Sequence, residues 1–196
     1  MKMSNHLVHK ANSCVNCINY YLEVLMLLQK ENIKIRSVNT DDAEILMTWW
    51  NNGKVMAHAG FPNGLGLKLK EVINKIKTDE NRQNYLCIIE YDNIKIGECN
   101  FRLMKNVAKI GIKICEFSYQ NQGLGKKILK ILIRYLFTKK RITKIILNTN
   151  IKNLRAQHVY ESIGFKKVRT NIDSWVNQLG EVQSSIDYEI TMESFK

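Results

Sequence analysis

The sequence predicts a mixed α/β domain: a mostly antiparallel sheet of about seven strands flanked by about four helices. Three observations predict it. Segments with period-two alternation and segments with helical spacing follow one another as strand, two helices, three strands, helix, strand, helix, two strands. One pair of strand-like segments is separated by only Asp92-Asn93, a tight hairpin turn that makes its neighbours antiparallel. The chain has 196 residues, enough for one domain with a substantial core and thin for two, and its single proline, Pro62, forms no linker.

Each element has a local cause. Ile33-Lys34-Ile35-Arg36-Ser37-Val38 alternates as a strand. Thr40 precedes Asp41 and Asp42, a cap followed by acids in the first turn of a helix that runs to about Trp50. Asn51-Asn52-Gly53 stops it, because these residues tolerate the left-handed C-terminal conformation. A glycine-rich loop spans 59–66. Leu69, Val72, Ile73 and Ile76 then repeat at helical spacing. Residues 85–91 and 94–102 read as the hairpin strands, and 107–115 as the next strand. Residues 123–139 form a long helix with Ile128, Leu129, Leu132, Ile133, Leu136 and Phe137 inward. A short buried strand at 144–147, a helix at 154–163 stopped by Gly164, and strands at 165–170 and 185–192 complete the order. Residues 1–30 stand apart as an N-terminal extension before a domain spanning 31–196. Its segment from about residue 18 to Leu28 reads as a helix that is apolar on most faces.

Composition narrows the class. Hydrophobic residues make up 45% and charged residues 24%, the balance of a soluble globular chain. The net charge is +12, which attracts anions. The lysines are scattered among Asn and Ile along the whole chain, and no RNA- or DNA-reading motif accompanies them. Nucleic acid is therefore not the expected partner. The apolar stretch 18–28 is interrupted by Glu23 and too short to span a bilayer, so no membrane association is expected. Of five cysteines, Cys87, Cys99 and Cys115 sit in apolar strand-like runs and read as small core residues in a reducing compartment, which places the protein in the cytoplasm. His6, His9, Cys14 and Cys17 are zinc-ligand types, but the interval between the two pairs is too short for a common zinc finger, and no metal is expected.

The sharpest chemical signal is Gln120-Asn121-Gln122-Gly123-Leu124-Gly125-Lys126-Lys127, between a strand and the long helix. A helix N-terminus presents unpaired N–H groups and partial positive charge, glycines let backbone approach a phosphate, and Lys126 and Lys127 add full charges. A kinase-type P-loop aligned on Gly125-Lys126 needs glycine where Gln120 stands and a hydroxyl where Lys127 stands. A dinucleotide fingerprint needs glycine where Ile128 stands. Both are excluded. A helix start that merely carries glycines remains the plain alternative.

With Gln120, Gly123 and Gly125 in a Q/R-x-x-G-x-G/A pattern, the chain resembles the GNAT superfamily of N-acetyltransferases. A second segment strengthens the resemblance: Asn148-Thr149-Asn150 ends a strand, and Asn153, Ala156, Tyr160, Gly164 and Phe165 follow at the spacing of the family's second cofactor motif. The resemblance covers about residues 33–192, within the branch that includes ribosomal-protein alanine N-acetyltransferases. It implies a GNAT-like sheet splayed at a cleft that holds acetyl-CoA as co-substrate. Ile112, Lys113 and Ile114 would bind the pantetheine arm through their backbone. Gln120 and Gln122 to Lys127 would hold the pyrophosphate, with Asn148, Asn153 and Ala156 also at the cofactor. Tyr160 would donate to the departing sulfur. Many relatives carry a carboxylate where this chain has Lys109, which leaves the base open. Glu98 is the leading candidate, and Glu116 and His58 are others, with water as a further proton carrier. Trp49, Trp50, Phe61, Glu116 and Asp173, with Trp175, are candidate walls of the acceptor site, the tryptophans being equally readable as core. The acceptor is a small-molecule amine or a protein N-terminus, and the enzyme a monomer or homodimer. The rival class is a non-catalytic CoA-binding or nucleic-acid-associated module, against which the intact Asn153 and Tyr160 argue.

Overall fold

The computed structural model describes residues 27–79 and 84–196. The sheet strands are β1 (Leu27–Lys30), β2 (Ile33–Ser37), β3 (Asn84–Tyr91), β4 (Ile94–Met104), β5 (Val107–Ile114), β6 (Lys144–Asn150), β7 (Lys166–Val176) and β8 (Val182–Thr191). Among the described residues five α-helices accompany them: α1 (Ala43–Asn51), α2 (Gly53–Met56), α3 (Leu69–Asp79), α4 (Leu124–Thr138) and α5 (Leu154–Ile163). The strands form one sheet in the order β1-β2-β3-β4-β5-β6-β8-β7. Every neighbouring pair is antiparallel except β5 and β6.

Helices cover both faces, so the central strands are buried on both sides. In β3, Cys87 and Ile89 face the α4 side, where they join Leu129, Leu132 and Ile133 in one core. Ile88 between them faces the other way and packs with Leu46, Trp49, Trp50, Val72 and Ile76 from α1 and α3. The turn between β3 and β4 has φ of 50° at Asp92 and 63° at Asn93, the left-handed pair of a type I′ hairpin. Cys87, Cys99 and Cys115 are free and buried.

The structure differs from the sequence expectation in particular places. The cap of the first helix is Asn39 rather than Thr40. The Asn39 side chain accepts from Asp41 N, Asp42 returns to Asn39 N, and a 3-10 turn at 40–42 precedes α1. After the expected stop, Asn52 caps the extra short helix α2 by accepting from Lys54 N at 3.0 Å. Leu27 and Leu28, the last residues of the expected N-terminal helix, are strand: β1 pairs with β2, Leu28 opposite Ile35. This makes the strand count eight among the described residues, rather than about seven. The rest of that helix, with the His6, His9, Cys14 and Cys17 quartet, lies outside the described residues. Strand β7 runs six residues past its expected end at Thr170, because pairing with β8 holds a segment whose apolar residues, Ile172, Trp175 and Val176, do not alternate.

An ion network joins β2, β3 and β4 to the turn before α1. Asp42, fully buried, takes two bonds from Arg36 at 2.7 and 2.8 Å and one from Lys95 at 2.8 Å. Arg36 also donates to Glu90 at 2.7 Å. Burial raises the Asp42 carboxyl, but the hydrogen bonds from Arg36, Lys95 and Asn39 outweigh it and bring the pKa down to about 2.

Candidate functional site

β5 and β6 are paired over three positions only: Val107 with Lys144, Ala108 with Ile145 and Lys109 with Ile146. Beyond them each strand follows its other neighbour. β5 stays on β4 as far as Gly97 opposite Ile114, and β6 stays on β8 as far as Asn150 opposite Ser185. The two ends therefore diverge and leave a wedge. At its mouth Cys115 N and Glu116 N both donate to Ile96 O, at 2.8 and 3.1 Å, a bulge that bends β5 away. Gly97 permits this, since a Cβ there would lie 2.1 Å from Lys113 O. Gln120 Nε2 donates to Ile114 O at 2.8 Å on the side away from β4. The strand period of two then directs the backbone groups of Ile112 and Ile110 to that same open side.

The wedge opens into a cleft of about 1080 Å³, ample for a cofactor-sized ligand. Its far end is the turn before α4. Asn121 at φ 61° and Gly123 at φ 73° turn successive N–H groups outward, and the helix N-terminus has no side-chain cap. Gln120 is the brace of this turn. Besides Ile114 it binds Arg155, which donates to its Oε1 at 2.8 Å and to Asn121 Oδ1 at 3.3 Å. Thus Arg155, on α5, brings a third cation to the turn beside Lys126 and Lys127.

Most expected cofactor residues line this one cleft: Ile112, Lys113 and Ile114 on β5; Gln120, Gly123, Leu124, Gly125 and Lys126 at the turn; Asn148, Asn153 and Ala156 opposite. Gln122 and Lys127 do not. They are exposed, and Gln122 is used locally to bond Ser118 O at 2.6 Å. Asn153 caps α5 by accepting from Ala156 N at 3.2 Å. About two turns on from that cap, Tyr160 lines the cleft with only 8% of its surface exposed. Its ring packs on Phe165 and Tyr188, each at 5.8 Å, and no described residue bonds its hydroxyl. Burial pushes that hydroxyl up to about 12, so it is protonated at neutral pH.

Glu98 also lines the cleft and is 2% exposed, but both its oxygens are engaged. Trp50 Nε1 donates to one at 2.8 Å, and Lys113, its cross-strand partner, pairs with the other. The first-helix tryptophans belong to the core: Trp49 is 2% exposed and bonds Glu116 Oε1 at 2.7 Å. Trp49, Trp50, Glu116, Phe61 and Asp173 all stand outside the cleft lining. Asp173 is exposed at a bulge, its N–H on Ser184 Oγ at 2.9 Å.

Other groups line the cleft instead. From β7 and β8 come Asn171, Trp175, Ser185 and Asp187, and from α2 and the following turn Lys54 and His58. Asn171 donates to Asp187 Oδ2 at 2.9 Å. His58 is pulled below its ordinary pKa by burial and by the charge of Arg155, so it is neutral at pH 7. Gln178, past the end of β7, joins the two sides: its N–H donates to Gly60 O at 2.8 Å, its Oε1 accepts from Asn63 N at 2.9 Å, and its Nε2 donates to Gly64 O at 2.9 Å. Sequence reasoning named Trp175 and His58 but missed Asp187 and Asn171. The alternation of Ser185 and Asp187 on one strand face was the available signal. Arg155 lay in plain sight within the second motif.

Comparison with known proteins agrees with this architecture. Residues 32–166 match the family described as acetyltransferase (GNAT) domain. An uncharacterised protein of Methanocaldococcus jannaschii is 26% identical over 158 residues, 77% of this chain, and the chain spans only 32% of that protein. Spermidine N(1)-acetyltransferase of Escherichia coli K12 is 25% identical over 138 residues, covering 68% of this chain and 73% of that enzyme. Among solved structures, RimL, a ribosomal L7/L12 alpha-N-protein acetyltransferase in complex with coenzyme A, superposes with a TM-score of 0.76 at 13% identity, over 86% of this chain and 99% of RimL. That last likeness is one of fold.

Proposed function

The chain belongs to the GNAT acetyltransferase family, and from that premise we propose that it moves the acetyl group of acetyl-CoA to a primary amine by direct attack in a ternary complex. The observation that carries the proposal is the joint geometry of one cleft: a splayed strand with free backbone groups, an uncapped helix N-terminus flanked by cations, and a buried protonated tyrosine. The residues fit the co-substrate. Leu124 and Gly125 at the start of α4, with Lys126 and Arg155, would hold the pyrophosphate. The open side of β5 supplies the N–H and C=O of Ile112 and the N–H of Ile114 for the pantetheine amides, and a donor there would polarise the thioester carbonyl. When bound, acetyl-CoA supplies an activated acyl carbon for the amine lone pair.

The chain's own groups manage the protons. An ammonium of pKa about 10 sheds one proton before attack and a second as the amide forms. One proton is gained by the departing thiolate and one goes to solvent. Tyr160 donates a hydrogen bond to that sulfur. Its pKa lies above that of a thiol, so stabilisation of the thiolate outweighs full transfer. Both oxygens of Glu98 are already bonded, so Glu98 holds Lys113 and Trp50 in place. The proton from the ammonium passes to water in the cleft beside the neutral His58.

We assign the acetyltransferase unit to the residues from Leu27 onward, since β1 extends the same sheet, and we place the protein in the cytoplasm, a location supported by three free buried cysteines. Among the described residues no helix is long and apolar enough to cross a membrane. The test is release of free thiol from acetyl-CoA with a panel of primary amines. Release that requires an amine supports transfer. Binding of CoA with no release for any amine makes the chain a CoA-binding module instead.

A further inference from the structure

We infer that the acceptor end of this cleft takes an amine bringing a single ammonium group and selects against polyamines; the inference rests on the acetyl-transfer proposal above. Two carboxylates line the cleft, Glu98 and Asp187. The charge of Glu98 is spent on Lys113, its ion-pair partner across β4 and β5. Asp187 is half-buried on β8, bonded only by the neutral amide of Asn171 and the partner of no ion pair among the described residues. Its remaining oxygen can take one ammonium.

Four cations line the same cleft: Lys54, Lys113, Lys126 and Arg155. Lys126 and Arg155 flank the turn before α4. The charge of Lys113 is matched by Glu98, so Lys54, exposed and unpaired among the described residues, is the uncompensated cation left for the acceptor end. Gln178 holds the 60–64 loop against the hairpin of β7 and β8, which keeps the Lys54-to-His58 segment beside Asn171 and Trp175. A second or third ammonium would therefore meet the Lys54 charge, with no free carboxylate lining the cleft to receive it. Asp173 and Glu116, the other acids nearby, lie outside the lining, and Glu116 already serves Trp49. Charge matching of this kind decides selectivity more than raw affinity.

The experiment uses the full chain and the thiol-release assay at neutral pH and fixed ionic strength, with benzylamine, a tripeptide amide with a free N-terminus, and spermidine. Higher kcat/KM for at least one single-ammonium acceptor than for spermidine, by about 10-fold, is expected, and the two arms separate a simple amine from a peptide terminus. Asp187→Asn retains an oxygen for Asn171 and should raise acceptor KM about 10- to 100-fold while leaving acetyl-CoA KM unchanged, as loss of a hydrogen bond to charge requires. Lys54→Glu should raise kcat/KM for spermidine about 10-fold. Spermidine as the best wild-type substrate overturns the inference and leaves acetyl transfer intact. So does an Asp187→Asn enzyme with unchanged acceptor KM, or a Lys54→Glu enzyme with no gain on spermidine. Failure of every amine to release thiol removes the transfer proposal and this inference with it.

Discussion

Replacing Gly123 with glutamate tests the phosphate turn most directly. Gly123 precedes α4 at φ 73°, and a Cβ built on it meets no atom within 4 Å. The substitution therefore has open space at its Cβ. Its structural cost is the left-handed backbone, about 1–2 kcal/mol for a residue with a Cβ. A carboxylate at a helix N-terminus returns about 0.3–1 kcal/mol of that. Net destabilisation of about 1 kcal/mol lowers the melting temperature by about 2–4 °C in a chain of this size and leaves it folded. The effect on the ligand is larger. One carboxylate about 5 Å from one phosphate charge, at an effective dielectric of about 20, costs about 3 kcal/mol, a loss of about 200-fold in affinity. Calorimetric titration with CoA reads this, and Gly123→Gln supplies the same bulk and backbone cost without charge. The glutamate variant should bind far more weakly than the glutamine variant, with a gap that narrows as salt rises. Equal affinities for the two variants, or an unchanged CoA Kd in the glutamate variant, would refute the placement of phosphate at this turn.

Two further outcomes follow from named groups. Tyr160→Phe keeps the ring contacts with Phe165 and Tyr188 and removes only the hydroxyl. Steady-state kinetics should show kcat reduced about 100-fold with acetyl-CoA KM unchanged, and an undiminished kcat would end its role at the sulfur. The Asp42 carboxyl, held at about 2 against an ordinary 3.8, is depressed in the folded state. Its contribution of about 2 kcal/mol is thus fully present above pH 4 and fades as pH falls toward 2. Urea titrations should find Asp42→Asn destabilised by about that amount at pH 7 and much less at pH 2.5; an equal loss at both would show that packing, not charge, holds the network.

What could be read in advance follows the range of the forces involved. The turn at Gln120–Gly125 and the helix from Asn153 to Gly164 were legible because capping, glycine conformation and apolar period act within a few residues. The eighth strand was not, since Leu27 and Leu28 are apolar in either conformation and only pairing with Arg36 and Ile35 makes them strand. Trp49 and Trp50 carried no local sign of whether they faced ligand or core. Packing against α3 and β3, with Glu116 and Glu98 taking their indole N–H groups, decided it. By itself, then, the sequence determined the fold class, the order of most elements and the glycine turn before α4, each built from contiguous residues. Tertiary structure alone decided the opening between β5 and β6, which exists because β4 and β8 pull the two strands apart. It also brought Asp187, Asn171, Lys54 and His58, from four separate elements, to the lining of one cleft.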